Sequence, residues 1–119
     1  MQPIDRSSAE HYIWSQVCDG WHLVKRPDMS VIAERVPPGR AEIRHYHSNA
    51  RQFFYILSGE AVIEIEGKEV ELSEGQGIEI APGARHQFMN RSEKDVHFLV
   101  ISHPSTRGDR VEVQAGIQP

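Results

Sequence analysis

Along most of the chain, apolar and polar residues alternate in short runs that stop at glycine, proline or small polar residues. AVIEIE (61–66) puts Ala61, Ile63 and Ile65 on one face and Val62, Glu64 and Glu66 on the other, the period of two expected of a half-buried strand. QFFYIL (52–57) and VHFLVIS (96–102) are apolar on both faces, which suits central strands or strands covered by a partner subunit. Further runs of this kind are WHLVKR (21–26), MSVIAERV (29–36), AEIRHYH (41–47), EVELSEG (69–75), GIEIA (77–81) and HQFMN (86–90). Between them stand Pro27-Asp28, Pro37-Pro38-Gly39, Ser48-Asn49, Ser58-Gly59, Glu66-Gly67-Lys68 and Pro82-Gly83. Breaks of this chemistry at roughly 8–12-residue spacing predict about eight or nine short strands in a sandwich or barrel, with a hairpin at Glu66-Gly67-Lys68. Residues 8–18 (SAEHYIWSQVC) admit either a short helix or an arm. The tail from Ser105 to Pro119 has fewer apolar positions and reads as a loosely held strand or arm.

Composition narrows the function classes. The chain has 119 residues, the size of one domain, and no internal repeat or linker interrupts it. Thirteen Lys+Arg against seventeen Asp+Glu give a net charge of −4 with no basic stripe, which argues against a nucleic-acid partner. No apolar run approaches the length of a bilayer span, and the first twenty residues contain no apolar leader core, so the expectation is no membrane association and a cytoplasmic location. A single cysteine, Cys18, excludes an intrachain disulfide and a cysteine-rich zinc site. Histidine is a different matter, since there are seven.

Two stretches carry the chemistry. In the first, 39–59, His45 and His47 are two apart, so on a strand both imidazoles leave the same face and can grip one cation. The polar break at Ser48–Arg51 would then return Gln52 on a neighbouring strand beside the pair. In the second, 75–90, a third histidine, His86, follows a tight turn. His11, His22, His97 and His103 have no such register and read as surface or packing residues.

In these two stretches the chain resembles the cupin family. The first family pattern, G-x5-H-x-H-x3or4-E-x6-G, is met by Gly39, His45, His47, Gln52 and Gly59, with glutamine where glutamate is usual. The second, G-x5-P-x-G-x2-H-x3-N, is met by Gly75, Ala81, Gly83, His86 and Asn90, with alanine for the first proline. The resemblance implies an all-β double-stranded β-helix, or jelly-roll barrel, with one divalent transition metal (Zn, Ni, Mn, Fe or Cu) held by His45, His47, Gln52 and His86. It sets a barrel core at 29–104, an N-terminal segment at 1–28 used for strand exchange or a dimer contact, and a tail at 105–119 packed on the barrel.

Gln52 is the informative departure. Three neutral imidazoles and a neutral amide cancel none of a divalent cation's charge, so the site is expected to hold metal less tightly and to favour an anionic or carbonyl-rich ligand. If Gln52 is a ligand, its carbonyl oxygen faces the cation and its NH2 needs an acceptor of its own. Counting by two from Gln52 and His86 turns Phe54 and Phe88 inward as a candidate apolar lining, and Arg85, next to His86, is a candidate grip for a substrate carboxylate. The family resemblance, with a glutamine in the fourth ligand place as in small uronate-linearising cupins, points to a metal-dependent isomerase, epimerase or lyase acting on a sugar acid or similar small anion. A metal-dependent dioxygenase and a non-catalytic sugar-binding protein are the alternatives. Trp14, Trp21 and the two-faced QFFYIL strand exceed what so short a chain readily buries alone, so a homodimer covering Trp14 and Phe53/Tyr55 is expected.

Overall fold

The computed structural model describes residues 1–113, which fold into two antiparallel sheets facing one another. Eleven strands are present among these residues and no helix. They are β1 (Glu10–Trp14), β2 (Cys18–Lys25), β3 (Ser30–Val36), β4 (His45–Tyr46), β5 (Arg51–Ser58), β6 (Glu60–Ile65), β7 (Lys68–Ser73), β8 (Gly77–Ile80), β9 (His86–Met89), β10 (Val96–His103) and β11 (Val111–Glu112). One sheet has the order β1-β2-β3-β10-β5-β8, the other β11-β4-β9-β6-β7. This is the all-β sandwich that the alternation predicts and the jelly roll that the cupin resemblance implies, with eleven strands among the described residues where eight or nine are expected.

Register explains which residues meet. On β10, Val96, Phe98, Val100 and Ser102 are buried, and across on β5 so are Gln52, Phe54 and Ile56. The pairs Phe98–Ile56, Val100–Phe54 and Ser102–Gln52 therefore present one inward face, with a bulge at His97/Phe98. From the opposite sheet, Ile63 of β6 pairs with Phe88 of β9 and Ile65 with His86. The faces close on stacked rings: Phe88 and Phe98 lie 4.0 Å apart between centroids, and Phe54 is 5.7 Å from Phe88 and 6.0 Å from Phe98. Such offset stacks, fully dry, contribute beyond their buried area.

Turn chemistry fixes the hairpins. Glu66 and Gly67 both have positive φ (49° and 88°), as a two-residue type I′ connection requires, and Glu64 Oε2 accepts the Gly67 amide at 2.6 Å. At Gly59 (φ 89°) a Cβ would lie 2.5 Å from the Asp95 carbonyl oxygen, so the β5–β6 corner admits only glycine. Asn90, fully buried, donates to the carbonyls of Val36 and Lys94 at 2.9 and 2.7 Å and accepts from Ser92, which ties together the ends of β3, β9 and β10.

The N-terminal segment differs from the helix-or-arm expectation. Residues 10–14 form β1, hairpinned onto β2 and thus onto the chain's own large sheet. The turn uses Ser15 and Gln16 at φ 49° and 72°, left-handed positions taken by residues that do not announce them. Trp14 faces inward against the core opposite Cys18 and donates to the Asp19 carbonyl. At the other end, β11 pairs with β4, while the tail expectation for 114–119 lies outside the described residues.

Candidate metal centre

Three histidines from two stretches of the chain converge. His45 starts β4 and His86 starts β9, and the two are direct cross-strand partners. His47 follows two residues later on the same face, and its carbonyl accepts the Gly83 amide at 2.7 Å, so the turn before His86 is stapled to the His45/His47 strand. One nitrogen from each ring lies within 4.8 Å of those of the others. Ring centroids are 4.5 Å apart for His45–His86 and 4.8 Å for His45–His47.

Each ring is oriented from behind by a backbone carbonyl. His45 Nδ1 donates to Ile43 O at 2.7 Å, His86 Nδ1 to Ala84 O at 2.9 Å, and His47 Nδ1 to Asp109 O. A carbonyl only accepts, so each Nδ1 carries the proton and each Nε2 keeps a lone pair. His86 Nε2 is buried without a partner. Burial drives the pKa of His45 down to about 3 and that of His86 to about 4, and lowers that of His47, so all three are neutral at ordinary pH. Neutral imidazoles fixed in this tautomer are what a divalent ion needs.

Gln52 stands on β5 of the other sheet. Its Nε2 donates to Ser102 Oγ at 3.1 Å, while Oε1 is buried with no hydrogen-bond partner. An orphaned amide oxygen and an orphaned imidazole nitrogen, both in the barrel interior, are costly unless a cation satisfies them. The residues fit the implied metal on that ground.

The other sequence candidates are placed differently. Phe54 and Phe88, 3% and 1% exposed, belong to the core stack, where Phe54 meets the His86 ring edge-on at 5.9 Å; they form the floor beneath the histidines and offer no free surface to a ligand. Arg85 also departs from expectation. As the neighbour of His86 it points to the opposite face, half exposed, over the Tyr46 ring at 5.6 Å and 3.9 Å from Glu66. Arg44 and Arg51 are engaged with Glu64 and Glu79 at 2.7 Å each.

Several contributors escaped the sequence reading. Asp109 not only holds His47 but accepts the amides of Ser48, Asn49 and Ala50 at 2.7, 3.0 and 3.0 Å, fixing the loop between His47 and Gln52. Burial pushes the Asp109 carboxyl up, but these three donors outweigh it and hold its pKa below the usual value. Glu34 and Glu42 face a cavity of about 320 Å³ with Tyr12, Trp14 and Arg110. Burial raises the Glu34 carboxyl to about 8, with Glu42 adding to the shift, and raises Glu42 to about 7 against the Phe88 amide that it accepts at 2.9 Å. Glu42 Oε1 stands 4.0 Å from His45 Nδ1, behind the ring and away from its free nitrogen. A signal for Glu34 existed, since it is in phase with Ile32 and Val36 on β3. Asp109 gave none, being 62 residues from His47.

Comparison with known proteins agrees with this arrangement. The cupin domain family model matches residues 33–102, which include both histidine-bearing stretches. An oxalate-binding protein of Thermotoga maritima is 31% identical over 67 residues, 56% of this chain and 55% of that protein. The tetracenomycin polyketide synthase protein TcmJ of Streptomyces glaucescens is 32% identical over 54 residues, so the match spans 45% of this chain and only 36% of that protein. Among solved structures, KdgF from a Halomonas species superposes with a TM-score of 0.80 over 88% of this chain and 94% of that one, at 17% identity. A sugar phosphate isomerase of the cupin superfamily from Silicibacter pomeroyi gives 0.76 over 98% and 94%, at 19% identity. At such identities the structural likeness speaks for the fold alone, but the family match covers more than half the sequence and both histidine stretches, and by it this chain belongs to the cupin family.

Proposed function

We propose that this cupin holds one divalent transition metal through His45, His47, His86 and Gln52 and uses it to isomerise, epimerise or eliminate from a sugar acid or similar oxygen-rich small anion. The observation that carries the reading is the pair of buried, unpartnered acceptors, Gln52 Oε1 and His86 Nε2, together with the His45 and His47 imidazoles grouped around His86, whose Nδ1 protons are already committed. When bound, the metal supplies Lewis acidity toward a carbonyl or carboxylate oxygen. The protein's own part is to present four neutral donors, so that the charge which draws an anion is left uncancelled. The aromatic floor of Phe54, Phe88 and Phe98 closes the barrel below the donors and keeps water from that side.

The same donors suit a binding protein without turnover, a second reading favoured by the likeness to a protein named for binding oxalate. Calorimetric titration of zinc, nickel, manganese and iron(II) into chelator-treated, tag-free protein tests the metal, with one ion per chain expected and none after His47→Ala. Proton NMR of the loaded protein with uronates and aldonates then separates turnover from binding. Absence of stoichiometric binding by any of these ions overturns the proposal.

A further inference from the structure

A second cavity, with apolar and basic walls, lies at the end of the barrel, between the β2–β3 turn and the segment after β10. It measures about 930 Å³, opens to solvent and is lined by His22, Lys25, Arg26, Ser30, Thr106 and Arg107 among others, with no carboxylate among the described lining residues. For a chain of net charge −4 this is a marked local inversion of sign. Lys25 is neutralised by Glu10, at 3.1 and 3.2 Å. The guanidinium groups of Arg26 and Arg107 have no hydrogen bond or ion pair among the described residues, although both are planar multi-donor groups suited to oxyanions.

The two walls that present these arginines are tied to each other. The Ser105 amide donates to Pro27 O at 3.1 Å, and His103 Nδ1 donates to Asp28 O at 2.7 Å. Arg26 and Met29 exchange backbone hydrogen bonds at 3.0 and 3.3 Å across the turn. His22 forms part of the floor, its ring 5.0 Å from that of Tyr12. Its Nδ1 is buried with no hydrogen-bond partner.

The cavity adjoins the metal donors along one row of the large sheet. Ser30, in its wall, pairs with Ser102, whose Oγ accepts from Gln52. Two strand spacings separate Ser30 from Gln52, about 10 Å. Arg107 stands two residues before Asp109, the anchor of His47.

We propose that this cavity receives the oxyanion end of a small ligand, a carboxylate or a phosphate, gripped by Arg26 and Arg107, and that a ligand of about 10 Å reach has its other end at the metal. The second half of this statement rests on the function proposed above; the first does not. The test is a nitrogen-15 NMR titration of chelator-treated protein with inorganic phosphate and, separately, with succinate, at constant ionic strength set by chloride. Saturable shifts are expected at the amides of 22–26 and 105–107, and the tighter of the two probes names the group. An Arg26→Gln/Arg107→Gln double variant, first shown to melt like the wild type, is expected to lose at least tenfold in affinity while binding metal normally. Shifts that do not saturate, that fall elsewhere, or that persist undiminished in the double variant overturn the proposal. Because the titration is run without metal, phosphate binding in a protein that takes up no metal would sink the metal-centred function and leave this cavity standing; the reverse result would do the opposite.

Discussion

In the proposed function, Gln52 decides the character of the centre more than any other single side chain. Its amide donates from Nε2 to Ser102 while Oε1 is buried without a partner, the atom that the proposed function gives to the cation. Replacing it with glutamate adds a negative charge at the donor position. Metal affinity measured by competition with a chromogenic chelator is expected to rise about tenfold or more, while affinity for an anionic ligand falls. Gln52→Ala is expected to loosen metal without the selective penalty on anions. If Gln52→Glu leaves metal affinity unchanged and only lowers the melting temperature, the residue is packing and not a ligand. Asp109 works at the same scale but indirectly. Asp109→Ala removes the acceptor of three amides in the 48–50 loop and is expected to weaken metal binding by about 10–100-fold, the usual cost of losing an outer support, with the fold retained. An unchanged affinity would mean that the backbone carbonyl alone positions His47.

Among the elements, β3 and the loop before β4 carry the acids that set the pH response, while β4 and β9 carry the bases. An unfolded histidine binds a proton below about 6.5, whereas His45 and His86 resist until about 3 and 4, so the metal-free protein loses stability as pH falls through that window. Glu34 and Glu42 act in the opposite sense: folded they hold protons up to about 8 and 7, unfolded only to 4.5, so stability is lost as pH rises between those values. Glu34→Gln is therefore expected to gain several degrees more in melting temperature over wild type at pH 9 than at pH 5.5. An equal difference at both pH values would show that the cavity solvates Glu34. The same elements show what could be read from sequence. His45, His47 and His86 were legible because metal chemistry demands that residue type and strand geometry demands that spacing, and burial on β5 and β10 followed from a period of two. The β1–β2 hairpin was not, since Ser15 and Gln16 take left-handed turn positions without glycine or asparagine. Arg85 was misplaced through its nearness to His86 in sequence, although strict alternation sends it to the other face.

For the whole molecule, the large sheet has one face inside the barrel and an outer face that is itself apolar. Trp21, Ala33, Leu99 and Tyr55 are successive cross-strand partners on β2, β3, β10 and β5, and Val31, Ile101 and Phe53 form a second such row. Phe53 and Leu57 are 39% and 45% exposed, and Phe53 stacks on Tyr55 at 6.3 Å. Trp14, by contrast, packs inward, so one surface cannot cover it together with Phe53 and Tyr55; Trp21 takes its place on the outer face. We propose that a second copy of the chain covers these rows, since two apolar sheet faces can pack about 10 Å apart as in any sandwich and bury the roughly 800 Å² per partner of a stable interface. A face-to-face pair would leave both metal centres and both basic cavities open, because these lie on the inner side of the sheet. Sedimentation equilibrium is expected to return twice the 13.5 kDa of one chain at micromolar concentration. Phe53→Glu places an uncompensated charge at the centre of the patch, on a side chain that the isolated chain leaves partly in water, and is expected to give monomers that still bind metal. A single-chain mass that stays flat with concentration in the wild type, or a Phe53→Glu dimer as tight as the wild type, removes this face as the interface.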